Sequence, residues 1–225
     1  IDVAGMVASS LNLSDQDFLS NRLRFTEVPG AGAVVNNGII ETAAGGRVYL
    51  VAPTVENDGL IQSPKGEIVL AAGKEVELVD GAAPFVTVKL TADAGTALNV
   101  GNLVAAGGRI GMYGALVRNS GTVEAGGAMV GPGGEIRLVA TKDLTLDAGS
   151  LVAANGTSGG RVLLQAEGGT NLVGGTVEAK GNAGRGGEVS ALGVRVGVGG
   201  HGVIHASGGT GGGTVLLARD YQGKN

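Results

Sequence analysis

One phrase recurs from residue 45 to residue 217 and limits what the chain can fold into: a glycine pair, a polar residue, then aliphatic residues at alternate positions. It reads Gly45-Gly46-Arg47-Val48-Tyr49-Leu50, Gly107-Gly108-Arg109-Ile110-Gly111-Met112, Gly133-Gly134-Glu135-Ile136-Arg137-Leu138, Gly159-Gly160-Arg161-Val162-Leu163-Leu164, Gly186-Gly187-Glu188-Val189-Ser190-Ala191 and Gly212-Gly213-Thr214-Val215-Leu216-Leu217. Lys65-Gly66-Glu67-Ile68-Val69-Leu70 has a lysine at the first position. A turn signal followed by period-two alternation is a short strand with one buried face. Repeats of about 20 to 27 residues cannot bury a core alone and must stack on their neighbours.

Thr87-Val88-Lys89-Leu90 keeps the alternation without the glycines, and is expected to fill the long gap between Ile68 and Ile110 as a degenerate copy. The expected inward ladders are then Val48, Ile68, Val88, Ile110, Ile136, Val162, Val189 and Val215, and, two residues on, Leu50 to Leu217. The polar position reads Arg47, Glu67, Thr87, Arg109, Glu135, Arg161, Glu188, Thr214, which places opposite charges on neighbouring coils.

Composition agrees with a narrow interior. The chain has 45 glycines in 225 residues, three Phe, three Tyr and no Trp, so Val, Ile, Leu and Ala must fill the core. A net charge of −4 with scattered signs gives no basic stripe for nucleic acid, and no apolar or amphipathic helical stretch is available for membrane insertion. The absence of cysteine fits an exported protein. A start at Ile1 suggests a processed or partial chain.

Residues 1–29 depart from the repeat and are expected to form an irregular N-terminal capping segment. Within it Val3 to Val7 reads as a strand, Ser14 as the N-cap of a single helical turn with Asp17 at the capping-box position, and Arg22 to Phe25 as extended. From Gly30 a second phrase precedes each glycine pair: Asn36-Asn37-Gly38-Ile39-Ile40, Asn57-Asp58-Gly59-Leu60-Ile61, Asn119-Ser120-Gly121-Thr122-Val123 and Asp147-Ala148-Gly149-Ser150-Leu151. Its glycine position, occupied by Asn102 in one coil, is expected to need positive φ, and the Asn or Asp two residues earlier to cap the corner and stack on its neighbours. A weaker third strand is seeded by Val55, by Val76 and Leu78, by Leu116, by Leu144 and Leu146, by Leu172, and by Val194 and Val196.

The expected fold is therefore all-β: a right-handed parallel β-helix (solenoid) of about eight three-stranded coils over residues 30–225. The connection before the glycine pair lengthens along the chain, so the later coils carry longer Gly-rich loops. Val215 to Ala218 is still in phase. Either further coils follow in the native protein, or another molecule stacks on that end.

Two stretches resemble the secretion-domain region of the filamentous haemagglutinin family, exoproteins of Gram-negative two-partner secretion. Asp2 to Leu19, containing Gly5-Met6-Val7-Ala8-Ser9 and Ser14-Asp15-Gln16-Asp17-Phe18-Leu19, is similar to the family's "GLVAS…ISDxDFL" stretch. The coils from Val35-Asn36-Asn37-Gly38 through Gly45-Gly46-Arg47-Val48-Tyr49-Leu50 to Leu78 are similar to its "NxGxI…GGxVxL" coils. The family's "NPNG" export segment would lie upstream of Ile1. The resemblance implies a secreted, elongated protein at the exterior of the outer membrane. Its implied partners are an outer-membrane β-barrel transporter and a receptor or glycan on a host or neighbouring cell. A self-assembling filament subunit stacking end to end, or a polysaccharide-active β-helix enzyme, are the alternative readings.

No catalytic, cofactor-binding or metal-binding residue is nominated, and no enzyme activity is expected. His201 and His205 lack companions at ligand spacing. Gly208-Gly209-Thr210-Gly211-Gly212-Gly213 lacks the Lys and Ser/Thr of a phosphate loop and the Asp of a calcium repeat. No Ser/His/Asp set can be nominated from motif context. Asn12-Leu13-Ser14 and Asn155-Gly156-Thr157 match the glycosylation sequon without further context.

Overall fold

The computed structural model describes residues 1–80, 86–91, 95–127 and 133–219. Its main body is one parallel sheet wound into three faces, with a single short helix at Asp15–Leu19. Each coil supplies a third-face strand, such as Thr54–Asn57, then a corner strand, such as Leu60–Gln62, then a phrase strand, such as Glu67–Ala72. Every strand hydrogen-bonds to its equivalent one coil away, as in Arg109–Gly114 against Glu135–Ala140. This is a parallel β-helix.

The inward ladder runs Val48, Ile68, Ile110, Ile136, Val162, Val189, all buried, and ends at Val215. Val88 is not part of it. Ile68 pairs directly with Ile110, and Val86–Leu90 runs antiparallel to Glu75–Asp80 outside the helix. Alternation alone did not separate a stacked parallel strand from an antiparallel one, since both have period two. The missing rung comes from the other direction: Asp2–Ser9 stacks on Ile39–Ala52, with Met6 beside Val48 and Ala8 beside Leu50. Eight phrase-face strands therefore stack among the described residues, with the first drawn from the capping segment.

Val76 and Leu78 leave the third face with that same excursion, and Thr96–Asn99 takes their place, pairing with Thr54–Asn57 and Leu116–Asn119. The four-stranded antiparallel sheet so formed, ordered Val86–Leu90, Glu75–Asp80, Leu23–Thr26, Asn12–Leu13, lies over the phrase face of the early coils. Its cluster buries Phe25, Val76 and Leu78 against Tyr49, Val51, Val69 and Tyr113. The helical turn that links Asn12–Leu13 to Leu23–Thr26 is capped as its sequence dictates: the Asp17 backbone N–H donates to Ser14 Oγ at 3.1 Å.

The Asn corner is a ladder through the interior. Asn36 Nδ2 donates to Asn57 Oδ1 (2.7 Å), Asn57 Nδ2 to Asn99 Oδ1 (2.8 Å) and Asn99 Nδ2 to Asn119 Oδ1 (2.7 Å). Asp147 does not continue it. Leu146 stands in register with Asn119, and Asp147 turns outward to pair with Arg118 at 2.7 Å. The glycine of this corner follows two residues after each Asn, so Gly101 and not Asn102 fills it; Asn102 is an ordinary strand residue beside Leu60 and Thr122. Positive φ is not what selects glycine there, since Gly149 alone of the four phrase glycines adopts it. Close approach does: a Cβ on Gly59 would lie 2.0 Å from the Gly38 carbonyl oxygen, and one on Gly121 2.1 Å from that of Gly101.

Asn57, fully buried in mid-ladder, both accepts and donates, so Asn57→Ala leaves Asn99 Oδ1 without its donor and Asn36 Nδ2 without its best acceptor. A loss of about 1–3 kcal/mol is expected for the buried groups left unpaired. Asn36→Ala at the ladder's end removes one Asn–Asn bond where Asn57→Ala removes two, and should cost less. Denaturant unfolding of the two variants checks this; equal losses would mean the ladder does not act through its hydrogen bonds.

Candidate functional site

With Thr87 outside the stack, the polar position of the phrase reads Arg47, Glu67, Arg109, Glu135, Arg161, Glu188, Thr214 in direct register. The signs alternate without interruption as far as Glu188. Parallel pairing puts these side chains on one outward row, so each charge has an opposite neighbour one strand spacing away. Arg109 reaches Glu135 at 2.6 Å and Arg161 reaches Glu188 at 3.2 Å.

The row changes environment along its length. Arg47 at its start is exposed, but at the next position the antiparallel sheet covers the row, and Glu67 is only 2% exposed. The Tyr49 hydroxyl donates to Glu67 Oε2 at 2.7 Å, and the Val86 backbone N–H donates to the same carboxylate at 3.1 and 3.3 Å. Burial nonetheless pushes the Glu67 carboxyl above the usual carboxylate range, against the opposing pull of these bonds and of Arg109 and Arg47. Burial likewise raises Tyr113, which packs under the same sheet. Towards the other end the row emerges, with the Arg161 and Glu188 side chains 65% and 46% exposed.

A raised folded-state pKa means that Glu67 favours the fold below its unfolded value, about 4.3, and that this contribution is lost as pH rises through the folded value. Glu67→Gln keeps an acceptor for Tyr49 and cannot ionise. The gap in melting temperature between the native protein and this variant should therefore shift in favour of the native protein on acidification. Parallel melting curves from about pH 4 to about pH 7 would show that the carboxyl titrates alike in both states.

Where the row is exposed it borders a groove of about 590 Å³ that runs along the glycine-pair corner from Gly107 to Thr214. On the strand side stand Glu135, Arg161, Glu188 and Thr214; on the loop side stands Arg185. The loop side is built from the long connections, which stack on one another: Gly156 bridges to Gly181, Gly181 to Gly208 and Arg185 to Gly211. The Gly208 to Gly213 run is thus the last layer of this loop stack. The groove is wide because the glycine pairs that line it carry no side chains, while most of their amides are already bonded, as Gly160 N–H is to the Ala154 carbonyl and Gly187 N–H to that of Ala179.

His201 lies in an exposed turn and His205 at the end of Val203–His205, also exposed. Among the described residues no three His, Asp or Glu side chains converge as metal ligands. Asn155 of the second sequon is engaged, donating to Glu178 at 2.8 Å and accepting from the Lys180 backbone N–H at 2.7 Å. No helix of the described residues is long and apolar enough to cross a membrane. Arg185 and the buried Glu67 were not visible as special in the sequence: the first depends on loop stacking, the second on a sheet folded from distant segments.

No family model matches the sequence, and no curated protein matches it. Among solved structures the chain is similar to the secretion domain of HMW1 from Haemophilus influenzae, with a TM-score of 0.69 and 20% identity. The match covers 97% of this chain and 75% of that one. It shows the fold, a parallel β-helix, over nearly the whole chain.

Proposed function

We propose that this chain is an extracellular structural and adhesive segment of a large secreted β-helical exoprotein of the filamentous haemagglutinin type. The observation that carries the reading is the extent of the fold match to the HMW1 secretion domain, 97% of the chain. The capping segment supports it: the stretch resembling the family motif, Asp2 to Leu19, supplies both the first rung and the capped turn Asp15–Leu19. In this reading a β-barrel transporter in the outer membrane moves the chain outward, and the folded rod presents its flank to a receptor or glycan on another cell. The role is non-enzymatic.

The test is export. A chimera in which the upstream export segment of a two-partner exoprotein is fused to these 225 residues, directed to the periplasm and co-produced with that exoprotein's own transporter, should appear in the medium only when the transporter is present. Equal release with and without it, or retention in both cases, would overturn the reading.

A further inference from the structure

The groove along the glycine-pair corner is not used by the export half of the proposed function, and its chemistry selects a ligand. We propose that it binds a linear, uncharged polysaccharide laid along the helix axis. This deepens the adhesive half of the proposed function and rests on it; it does not depend on the transporter.

Shape argues for a polymer. The groove touches five successive coils, from the Gly107-Gly108 pair to the Gly212-Gly213 pair, which at ~4.8 Å per coil is roughly 19 Å of open channel. Charge then narrows the class. A polyanion would meet Glu135 and Glu188, and a polycation would meet Arg161 and Arg185, so neither is accepted along the whole length. A peptide strand would need a row of unpaired backbone groups to extend a sheet, but Gly107, Gly108, Gly133, Gly159, Gly160, Gly186, Gly187 and Gly213 already donate their amides within the coils and loops. A chain of apolar side chains would find no apolar side chain among the described residues that line the groove. A hydroxyl both donates and accepts, so a row of hydroxyls satisfies carboxylate and guanidinium in alternation. A hexopyranose is also about as long as one coil is tall, ~4.8 Å, so successive sugars meet successive coils.

The Arg161–Glu188 pair at 3.2 Å is solvent-exposed and can open to engage hydroxyls at little cost. No aromatic side chain is among the described residues that line the groove, so binding lacks a stacking platform there and is expected to be weak per site, in the high-micromolar to millimolar range. Avidity would come from repetition along the rod or across many rods.

The experiment is a titration of the isotope-labelled 225-residue protein with hexasaccharides of linear β-1,4-glucan, β-1,3-glucan and β-1,4-mannan, with heparin hexasaccharide as the anionic comparison. At least one neutral sugar should shift the amides of residues 133–135, 159–161, 185–188 and 212–214, with an affinity little changed by salt. The Arg185→Ala, Glu188→Ala double variant, which alters exposed side chains only and should melt near the native temperature, is expected to weaken binding at least tenfold. Glu77→Gln on the antiparallel sheet should leave binding as it is. No binding of any neutral sugar, shifts outside the groove, full affinity in the double variant, or salt-sensitive binding of heparin alone would each overturn the proposal. Cell adhesion that survives in the double variant would discard the groove while leaving the adhesive reading intact, whereas adhesion absent from the native chain would discard that reading itself.

Discussion

Val162→Asp is expected to unfold the rod, or to lower its melting temperature by far more than Arg161→Ala, although the two positions are adjacent. Val162 is fully buried between Ile136 and Val189 in the stacked ladder, inside a cluster made only of aliphatic side chains and methionine. The side chain of an aspartate there is too short to reach solvent, and the cluster offers no cation. An uncompensated buried charge costs about 3–5 kcal/mol, a large share of the 5–15 kcal/mol that typically separates folded from unfolded states. Arg161 points the other way, with a side chain 65% exposed and an ion pair to Glu188 in water. Its truncation should stay within about 1 kcal/mol. The carboxyl introduced by Val162→Asp should also be easier to accommodate when protonated, so the gap should narrow at acid pH. Thermal melts of both variants settle the matter: comparable midpoints would mean that the ladder assignment is wrong by one residue, since a one-residue slip exchanges the two faces of a strand.

Much of this architecture is legible in the residues, and what is not has a definite cause. The glycine-pair phrase located the phrase strands because period two and a turn signal coincide in every copy, and Asn36, Asn57 and Asn119 announced the corner ladder. Val88 misled because local alternation carries no information about which partner a strand chooses. A different signal marked the excursion. Tyr49-Leu50-Val51-Ala52 and Ile68-Val69-Leu70-Ala71-Ala72 are continuous apolar runs, and such runs mean that both faces are covered. Both are buried throughout. A second layer over the early coils was therefore readable, and Thr87 to Leu90 with Leu23 to Phe25 were the segments available to make it. Once that layer is granted, the charge row becomes strictly alternating, because the one residue that broke it, Thr87, belongs to the layer. The groove was less accessible. It depends on how loops of different length stack, and Arg185 reaches it from a connection whose sequence shows only glycine and small residues around it.

The glycines of the phrase, which look interchangeable in the sequence, are not equivalent in the structure, and Gly160→Ala with Gly212→Ala should separate them. A Cβ on Gly160 would lie 2.1 Å from the Gly134 carbonyl oxygen and 2.6 Å from the Gly133 carbonyl carbon, both backbone atoms of the preceding coil. Neither can rotate away. That same Gly134 oxygen accepts the Arg161 backbone N–H at 3.0 Å, and the Gly160 oxygen accepts the Glu188 N–H at 2.9 Å on the other side. Relief of the clash therefore requires the coils to separate where two ladder bonds fix their spacing. Overpacking of this kind costs about 1–3 kcal/mol when side chains can adjust, and a clash with backbone on a repeating stack should reach the upper end or exceed it. Gly212 opens the last copy of the phrase, has nothing within 4 Å of its Cβ position and does not adopt positive φ. Alanine there should be neutral, or stabilising by up to about 1 kcal/mol through the lower entropy of the unfolded chain. The second glycine of every stacked copy meets the same carbonyl, as Gly108, Gly134, Gly187 and Gly213 do at 2.2, 2.3, 2.0 and 1.9 Å, so the effect should recur along the rod. Denaturant midpoints of the two single variants are the measurement. If Gly160→Ala folds as stably as Gly212→Ala, the coils have slack that the spacing of a hydrogen-bonded parallel stack does not allow, and the role assigned to the glycine pair fails.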